Sequence, residues 1–363
     1  MIVDAKQWVI KNEPTPGKPF NFDFKDKSST FELITKKIDT DKLKEDEILV
    51  KTLLLSNDPA QKMWIASVDK NYAKGTSKGD QIPSRGIAKV IFSKNANYQI
   101  NDIVSANVNW TNYNVISDFQ FATKLNILPN TELFWYLSVF GGTSLTAYFI
   151  FYRYAELKEV EADYEKTYLI SGAAGAVGSV CIQLALNVFK AKKVIAIAGG
   201  KEKVAFVESF GDRVIGVDYK DANYKEHLFK AAGGENTVDI FIDNIGSDTL
   251  EYGTTLLKPH GYLIVCGAIS AYNDHSKFVY KSYASILTKR LTIKGLLLMD
   301  NRDQFPKAIE KLSLLIEENK LSVDKSATIV DALGDKFEDI PLIWNGLFNG
   351  INKGKLITKI NDE

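Results

Sequence analysis

Three glycines spaced three residues apart are the first residues of this sequence whose pattern points to a chemistry. Gly172, Gly175 and Gly178 lie in LISGAAGAVGSV, between an apolar stub at 168–170 and an apolar, helix-like run at 180–189. A strand, a glycine-rich turn and a helix form a common pyrophosphate site, because the backbone approaches the phosphates closely and the helix N-terminus offers unpaired N–H groups. The spacing is G-x-x-G-x-x-G, so the pattern alone leaves a nucleotide loop and a tight turn both open.

The next candidate strand bears on which nucleotide such a loop would hold. It ends in Gly199 and Gly200, with Lys201 and Lys203 directly behind them. An NAD site carries an acidic residue about 20 residues after the loop, which binds the ribose 2′-hydroxyl. An acidic residue repels a 2′-phosphate, whereas small residues and cations accommodate one. The sequence therefore favours NADP over NAD, and the alternative is a solvated helix start with ordinary surface lysines.

Two further candidate strands end in residues that suit the other half of a dinucleotide. VDIFID is followed by Asn244, and YLIVCG is followed by Ala268 and Ile269, with Tyr272 close behind. Ligands of open α/β sheets bind beyond the carboxyl ends of the strands, so these residues are expected at one edge. A tyrosine in a loop is common, and composition alone does not separate Tyr272 from a structural residue.

The elements that position these residues change in character along the chain. Residues 1–135, completed by 326–363, are rich in strand patterns and predict a β domain. Residues 136–325 alternate between strands and helices, which predicts a doubly wound parallel sheet because parallel strands need crossover helices. The candidate strands are 47–56, 87–93 and 102–116 in the first domain and 168–171, 193–198, 213–217, 238–243, 262–267 and 291–297 in the second.

Composition argues against several classes of protein. Basic and acidic residues both number 45, so a nucleic-acid or acidic-membrane partner is not expected. Cys181 and Cys266 lie in apolar surroundings, which suits a reducing, cytoplasmic compartment without disulfides. The three histidines form no metal-binding pattern, so no metal is expected. The uncharged stretch 133–152 has the length of a membrane span, but it is interpreted as a buried helix pair broken at Gly141 and Gly142.

Several motifs in one order carry a resemblance to a known family. They are LTAYF, GAAGAVGSV, EKVAF, DYK, DNIG, CGAIS followed by YN, and NKGKLITKI. In this order they resemble the zinc-independent medium-chain dehydrogenases/reductases, and within them the group of leukotriene B4 12-hydroxydehydrogenase, prostaglandin reductase and alkenal double-bond reductase. The likeness is strongest from Leu145 to Asn273. It implies a GroES-like β domain, a Rossmann domain, NADPH as cofactor and a homodimer.

The resemblance also implies a role for each matched residue. Tyr272 matches the tyrosine placed at the substrate carbonyl, and Lys203 and Tyr219 match the residues that hold the 2′-phosphate. Asn352 matches a C-terminal asparagine on the cofactor. The remaining cofactor residues, from the pyrophosphate to the nicotinamide, are Gly175, Ala176, Val177, Gly178, Asn244, Cys266, Ala268 and Ile269.

The activity implied is reduction of the carbon–carbon double bond of α,β-unsaturated aldehydes or ketones, with hydride transfer to the β carbon. One stretch departs from the family pattern D-P-Y-M-R. Here it reads DPAQK, so Ala60 replaces the tyrosine and Lys62 the arginine, with Trp64 as a candidate replacement for the aromatic wall. Rival activities on this scaffold are quinone reduction and alcohol oxidation. The departure also motivates a different class, a non-catalytic NADPH-binding sensor or scaffold.

Overall fold

The chain divides into two compact units whose boundaries lie near the predicted ones. The computed structural model describes residues 1–66 and 73–362. The predicted boundaries after residues 135 and 325 each lie two residues from a boundary between units. A short segment near the C-terminus, which the sequence placed in the first domain, belongs to the second unit. The first unit comprises 1–137, 328–351 and 356–363, and the second comprises 138–327 and 352–355.

Strands and helices are numbered in chain order. The strands are β1 (Ile2–Ile10), β2 (Phe31–Asp39), β3 (Ile48–Ser56), β4 (Arg85–Ser93), β5 (Ile103–Asn107), β6 (Tyr113–Ile116), β7 (Thr123–Lys124), β8 (Thr167–Ile170), β9 (Lys193–Ala198), β10 (Val214–Asp218), β11 (Val238–Asp243), β12 (Leu257–Val265), β13 (Thr292–Gly295), β14 (Ala327–Asp331) and β15 (Lys355–Lys359). The α-helices are α1 (Gln61–Ile65), α2 (Gly142–Phe149), α3 (Ala176–Asn187), α4 (Lys201–Glu208), α5 (Tyr224–Ala232), α6 (Ser247–Leu256), α7 (Tyr283–Lys289), α8 (Phe305–Glu317) and α9 (Ile340–Asn349).

The first unit is β-rich, as predicted, but one predicted strand is wrong. Its larger sheet has the order β14-β15-β3-β4-β5-β7, and β6 pairs with β3 outside this path. The predicted strand 102–116 is two strands, because β5 pairs with β4 whereas β6 pairs with β3. The chain must turn between the two partners, and Asn109 takes a left-handed conformation with φ of 56° in that turn. The alternation of apolar and polar residues continues through both strands, so it does not reveal this change of pairing partner.

The second unit holds the predicted doubly wound sheet. Its six strands are parallel, in the order β10-β9-β8-β11-β12-β13. Each corresponds to a predicted strand, with the predicted bounds for β9 and β11 and shifted ends for the other four. Strands β8, β9 and β11 are almost wholly buried, as expected for a parallel sheet covered on both faces. The strand order reverses between β8 and β11, and ligands bind beyond the carboxyl ends of the strands at such a point.

The uncharged stretch around Gly141 forms short elements. A 3₁₀ turn spans Leu133–Tyr136, and α2 starts at Gly142 and runs into a π-helical turn at Ile150–Tyr154. Residues 144–151 are buried. The structure therefore has one 3₁₀ turn and one buried helix here, in place of the expected pair of helices. Among residues 1–66 and 73–362, no helix combines the length and the apolar character that a membrane span requires.

Lys62 lies in the core of the first unit. Its side chain is 2% exposed, and Nζ donates a hydrogen bond of 2.6 Å to the carbonyl oxygen of Lys18. The same ammonium group lies 3.1 Å from the ring centroid of Phe20, which stacks on Trp344. Burial lowers the pKa of Lys62 to about 7, because the charged form loses its hydration. The position that carries an arginine in the family motif is thus a packed, aromatic-capped lysine here.

This lysine makes a prediction about stability and pH. The unfolded chain keeps the Lys62 proton up to a pH near the ordinary lysine pKa of about 10.4, whereas the folded chain releases it above about 7. Between these limits the unfolded state binds more protons, so stability rises with pH. Urea unfolding at pH 6, 8 and 9.5 is expected to show wild type gaining stability relative to Lys62→Met. Lys36→Met, at an exposed lysine, serves as the control, and parallel profiles for wild type and Lys62→Met would contradict the burial argument.

Candidate functional site

The glycine loop joins β8 to α3, and the chain leaves no room for a side chain at Gly178. Gly172 has φ of 61°, a left-handed conformation that favours glycine. A Cβ atom on Gly178 would lie 2.5 Å from the carbonyl oxygen of Gly172 and 2.6 Å from the Cα atom of Ala173. Gly175 is the N-cap of α3 and makes no side-chain capping hydrogen bond. The first turn of α3, which holds the predicted residues 176–178, is therefore open to an anion that accepts from its N–H groups.

A C-terminal turn lies against this loop. Gly354 pairs with Gly175 in a parallel bridge, and its N–H donates to the carbonyl oxygen of Ala174 at 2.9 Å. Asn352 is buried, and its Nδ2 donates 2.6 Å to the carbonyl oxygen of Gly354. The predicted residue Asn352 therefore shapes the turn that covers the loop.

The end of β9 forms a second part of the site. A Cβ atom on Gly199 would lie 2.6 Å from the ring of Tyr219, so the tyrosine covers this glycine closely. The N–H of Gly200 donates a hydrogen bond of 2.8 Å to the carboxylate of Asp218. The Asp218 carboxylate is therefore bound by the backbone of this loop. Tyr219 is half-exposed at the surface. The structure thus brings together Gly199 and Tyr219, which lie 20 residues apart in the sequence.

Lys203 lies in the first turn of α4, and two further lysines lie near it. Burial lowers the pKa of Lys203, and the charges of Lys220 and Lys353 lower it further. Lysines repel one another at short range, and a bound dianion among them would relieve that repulsion. The sequence reasoning named Lys203 and missed the other two. Both were visible in the quoted motifs, since Lys220 ends DYK and Lys353 lies in NKGK.

The ends of β8 and β11 are joined by a buried hydrogen-bond network. Ser171 Oγ donates 2.6 Å to the carboxylate of Asp243, which is fully buried and also accepts from the N–H groups of Ile245 and Gly246. Asn244 donates from its N–H to Ser171 Oγ at 2.9 Å and from Nδ2 to the Ser171 carbonyl oxygen at 2.7 Å. Burial raises the pKa of Asp243 to about 6, and these hydrogen bonds oppose that rise.

Asn244 was predicted, whereas Asp243 and Ser171 were not assigned a role. The available signal was the DNIG motif, in which Asp243 is the last residue of a buried strand. A carboxylate in that position needs donors close by, because burying an unpaired charge is costly. Asp243 is therefore a positioning residue that fixes the loop bearing Asn244.

Cys266 lies on the same edge and remains a thiol. Its N–H donates 2.8 Å to the carbonyl oxygen of Asp243. Burial and the charge of Asp243 raise the pKa of Cys266 to about 12. The thiolate is the nucleophilic form, so Cys266 contributes shape rather than nucleophilic chemistry.

The hydroxyl group of Tyr272 lies close to the residues that directly follow β12. It follows a 3₁₀ turn at Ile269–Ala271, and Ala268 N donates to Tyr272 Oη at 3.4 Å. A Cβ atom on Gly267 would lie 3.5 Å from Tyr272 Oη. The loop is held in turn by hydrogen bonds from its N–H groups to the carbonyl oxygens of Asn244 and Ile245. The predicted residues Ala268, Ile269 and Tyr272 thus share the carboxyl edge of the sheet with Asn244.

Trp64 belongs to the first unit, whereas the residues described so far in this section belong to the second. It lines an open cavity of about 400 Å³ together with Gln81, Pro83 and Asn109. Ala60 is the N-cap of α1 and makes no side-chain capping hydrogen bond. Trp64 therefore lines an open cavity, whereas Lys62 is turned into the core. Within the described part of the chain, no three acidic, histidine or cysteine side chains are grouped as a metal site.

A Rossmann-like parallel-sheet unit together with a β-rich unit in one chain is typical of two-domain oxidoreductases. Two family models match accordingly, the N-terminal domain of oxidoreductase over residues 6–125 and zinc-binding dehydrogenase over residues 176–313. A solved structure of CurA in complex with NADPH from Vibrio vulnificus matches with a TM-score of 0.83 and 24% identity, covering 99% of this chain and all of that one. This match supports the fold.

Curated relatives match over the whole chain. An uncharacterized membrane protein of Saccharomyces cerevisiae is 63% identical, with both chains fully covered. Prostaglandin reductase 1 of Bos taurus is 31% identical over 99% of this chain and 100% of its own. The NADP(+)-dependent 2-alkenal reductase of Nicotiana tabacum is 29% identical over 99% of each chain. The chain belongs to the medium-chain dehydrogenase/reductase family, in the group related to prostaglandin and 2-alkenal reductases.

The close contact at Gly178 gives a stability prediction. Gly178→Ala places a methyl group against backbone atoms that cannot move aside, and overpacking of this kind costs about 1–3 kcal/mol. Gly295→Ala is the matched control in the same sheet unit, because a Cβ atom there meets nothing within 4 Å. Urea denaturation is expected to show a lower midpoint for Gly178→Ala alone. Equal midpoints for the two variants would contradict the tight packing of α3 on the loop.

Proposed function

We propose that this protein is an NADPH-dependent reductase of the carbon–carbon double bond in α,β-unsaturated aldehydes and ketones. The observation that carries the proposal is the position of the Tyr272 hydroxyl at the carboxyl edge of the sheet that also bears the glycine loop. A hydrogen-bond donor is thereby placed on the edge where a nicotinamide cofactor would lie.

The residues of the second unit fit NADPH. The glycine loop and the uncapped first turn of α3 would hold the pyrophosphate. Lys203 and Tyr219 would hold the 2′-phosphate beside Gly199, whose lack of a side chain makes room for the Tyr219 ring. Asn244 and the loop of Ala268 and Ile269 would flank the nicotinamide. The half-buried lysine in a positive environment favours a phosphate over the free 2′-hydroxyl of NADH.

The chemistry then divides between cofactor and protein. When bound, NADPH supplies the hydride that is added to the β carbon of the substrate. Negative charge develops on the substrate carbonyl oxygen, and the Tyr272 hydroxyl donates a hydrogen bond to that oxygen, which stabilises the transition state. The α carbon takes up a proton from solvent or through Tyr272, which completes the saturated carbonyl product.

The names of relatives support the substrate class. The bovine relative is a prostaglandin reductase, and the tobacco relative is an NADP(+)-dependent 2-alkenal reductase. Both names agree with reduction of an activated double bond by NADPH.

The test is NADPH oxidation with a panel of 2-alkenals, enones and quinones, with NADH alongside and products identified. A saturated carbonyl product formed with NADPH and not with NADH is the expected result. A quinol product alone would replace the proposal with quinone reduction. Binding of NADPH without turnover on the whole panel would replace it with a non-catalytic NADPH-binding protein.

The proposed role of Tyr272 is tested by removing its hydroxyl. Tyr272→Phe keeps the ring that contacts Phe278 and is expected to lower kcat by about 10- to 100-fold, as loss of a donor to a developing oxyanion does. The dissociation constant for NADPH, measured by fluorescence, is expected to stay within about twofold. Tyr283→Phe, at a highly exposed tyrosine of the same unit, is the control. Unchanged turnover in Tyr272→Phe would remove the residue from the mechanism.

We also propose a homodimer that forms along β13. In the described chain β13 is the last strand of the six-stranded sheet, so its outer backbone groups have no strand partner there. Large apolar side chains near it in sequence are exposed, among them Leu287 at 79% and Ile293 at 37%. A second copy would supply a complementary edge by symmetry, because a two-fold interface uses the same patch on both subunits.

The dimer is tested by light scattering after size exclusion. Wild type is expected at twice the chain mass of 40.5 kDa. Leu287→Glu and Ile293→Lys are each expected to shift the mass toward that of one chain, because a charge is costly to bury in an apolar interface. Leu342→Glu, at an exposed leucine of the first unit, is the matched control and should leave the mass unchanged. A wild-type mass of one chain would refute the dimer.

A further inference from the structure

Lys353 is held against the glycine loop by the backbone that follows it. The next residue, Gly354, pairs with Gly175 and donates 2.9 Å to the carbonyl oxygen of Ala174. The turn is fixed further by the buried amide of Asn352. Lys353 therefore starts from a rigid anchor beside the proposed phosphate loop, although it lies far away in the sequence.

The side chain of Lys353 extends toward the first turn of α4. Its Nζ lies 3.5 Å from Oε2 of Glu202, the residue directly before Lys203. The Glu202 side chain is 89% exposed. Ion pairs with so exposed a partner stabilise little, because water and salt screen them. The contact between Lys353 and Glu202 is therefore one that a better anion can replace at small cost.

The direction of the exchange follows from the neighbouring charges. Lys353 and Lys220 both lie close enough to Lys203 to lower its pKa, after the larger effect of burial. Three lysines from α4, the end of β10 and the C-terminal turn thus converge on one place. The monoanionic Glu202 balances only part of this charge, and a phosphate dianion balances more of it.

We propose that Lys353 is a specificity-determining residue that leaves Glu202 to bind the 2′-phosphate of the cofactor, with Glu202 acting as a competitor that weakens phosphate binding. The inference rests on the proposed NADPH site and deepens it. It assigns to the C-terminal turn a role in distinguishing NADPH from NADH, beyond the roles of Lys203 and Tyr219.

The experiment is calorimetric titration of the full chain with adenosine 2′,5′-bisphosphate and, in parallel, with 5′-AMP, which lacks the 2′-phosphate. Lys353→Ala is expected to weaken binding of the bisphosphate about tenfold, the loss of one charge-assisted hydrogen bond, and to leave 5′-AMP unchanged. Lys353→Arg should retain most of the affinity. Lys230→Ala, which removes the same charge from an exposed position on α5, is the matched control and should change the affinity less than about twofold.

Glu202→Gln separates direct binding from simple neutralisation. It is expected to tighten binding of the bisphosphate, and Lys353→Ala with Glu202→Gln should remain weaker than Glu202→Gln alone. Equal affinities for those two variants would mean that Lys353 only neutralises Glu202, which would overturn the inference. An equal loss for 5′-AMP in Lys353→Ala would overturn it as well. If wild type binds 5′-AMP but gains nothing from the 2′-phosphate, the NADPH assignment itself fails, and the inference with it.

Discussion

The carboxylate of Asp243 is the point on which the geometry of the site depends. It accepts hydrogen bonds from Ser171 after β8 and from two N–H groups after β11, while its own carbonyl oxygen accepts from Cys266 and Gly267 after β12. Three strand ends are thus tied together at one buried residue. Because burial raises its pKa to about 6 and the donors counteract that effect, the charged form is held by the surrounding loops. These loops carry the glycine turn, Asn244 and Tyr272.

The opposite end of the proposed cofactor site depends on electrostatics more than on shape. The ring of Tyr219 lies directly against Gly199, and the lysines near it set the sign of the electrostatic field. The charge of a half-buried lysine beside two other lysines is unfavourable by itself. Binding of an anion between them would relieve that repulsion, which would favour anion binding. The same arrangement would accept a neutral ribose hydroxyl poorly. In the proposed site, selectivity between the two cofactors would therefore follow from the positions of the charges rather than from a steric block.

The departure at DPAQK has a structural explanation in the first unit. Lys62 turns inward, caps the carbonyl oxygen of Lys18 and lies over the ring of Phe20. Trp344, stacked on that ring, donates from Nε1 to the carbonyl oxygen of Asp58 at 3.0 Å. The segment is thus tied to the aromatic core just before its short helix and in the first turn of that helix. The altered residue Lys62 thus serves packing, and Trp64 is the aromatic side chain of this segment that lines a cavity.

Much of this protein follows from local sequence patterns. Strand and helix periodicity, the glycine spacing and the ordered motifs were enough for the two-domain architecture, the parallel sheet and most residues on its carboxyl edge, because each of these depends on neighbours in the chain. The division of 102–116 into two strands did not follow, since the partners β3 and β4 are distant in sequence. Lys353 and Lys220 beside Lys203, the inward turn of Lys62 and the network at Asp243 were likewise decided only by tertiary structure. Each depends on which distant segments of the chain pack together and so bring a charge or a hydrogen-bond donor close to its partner. Local sequence patterns do not contain that information.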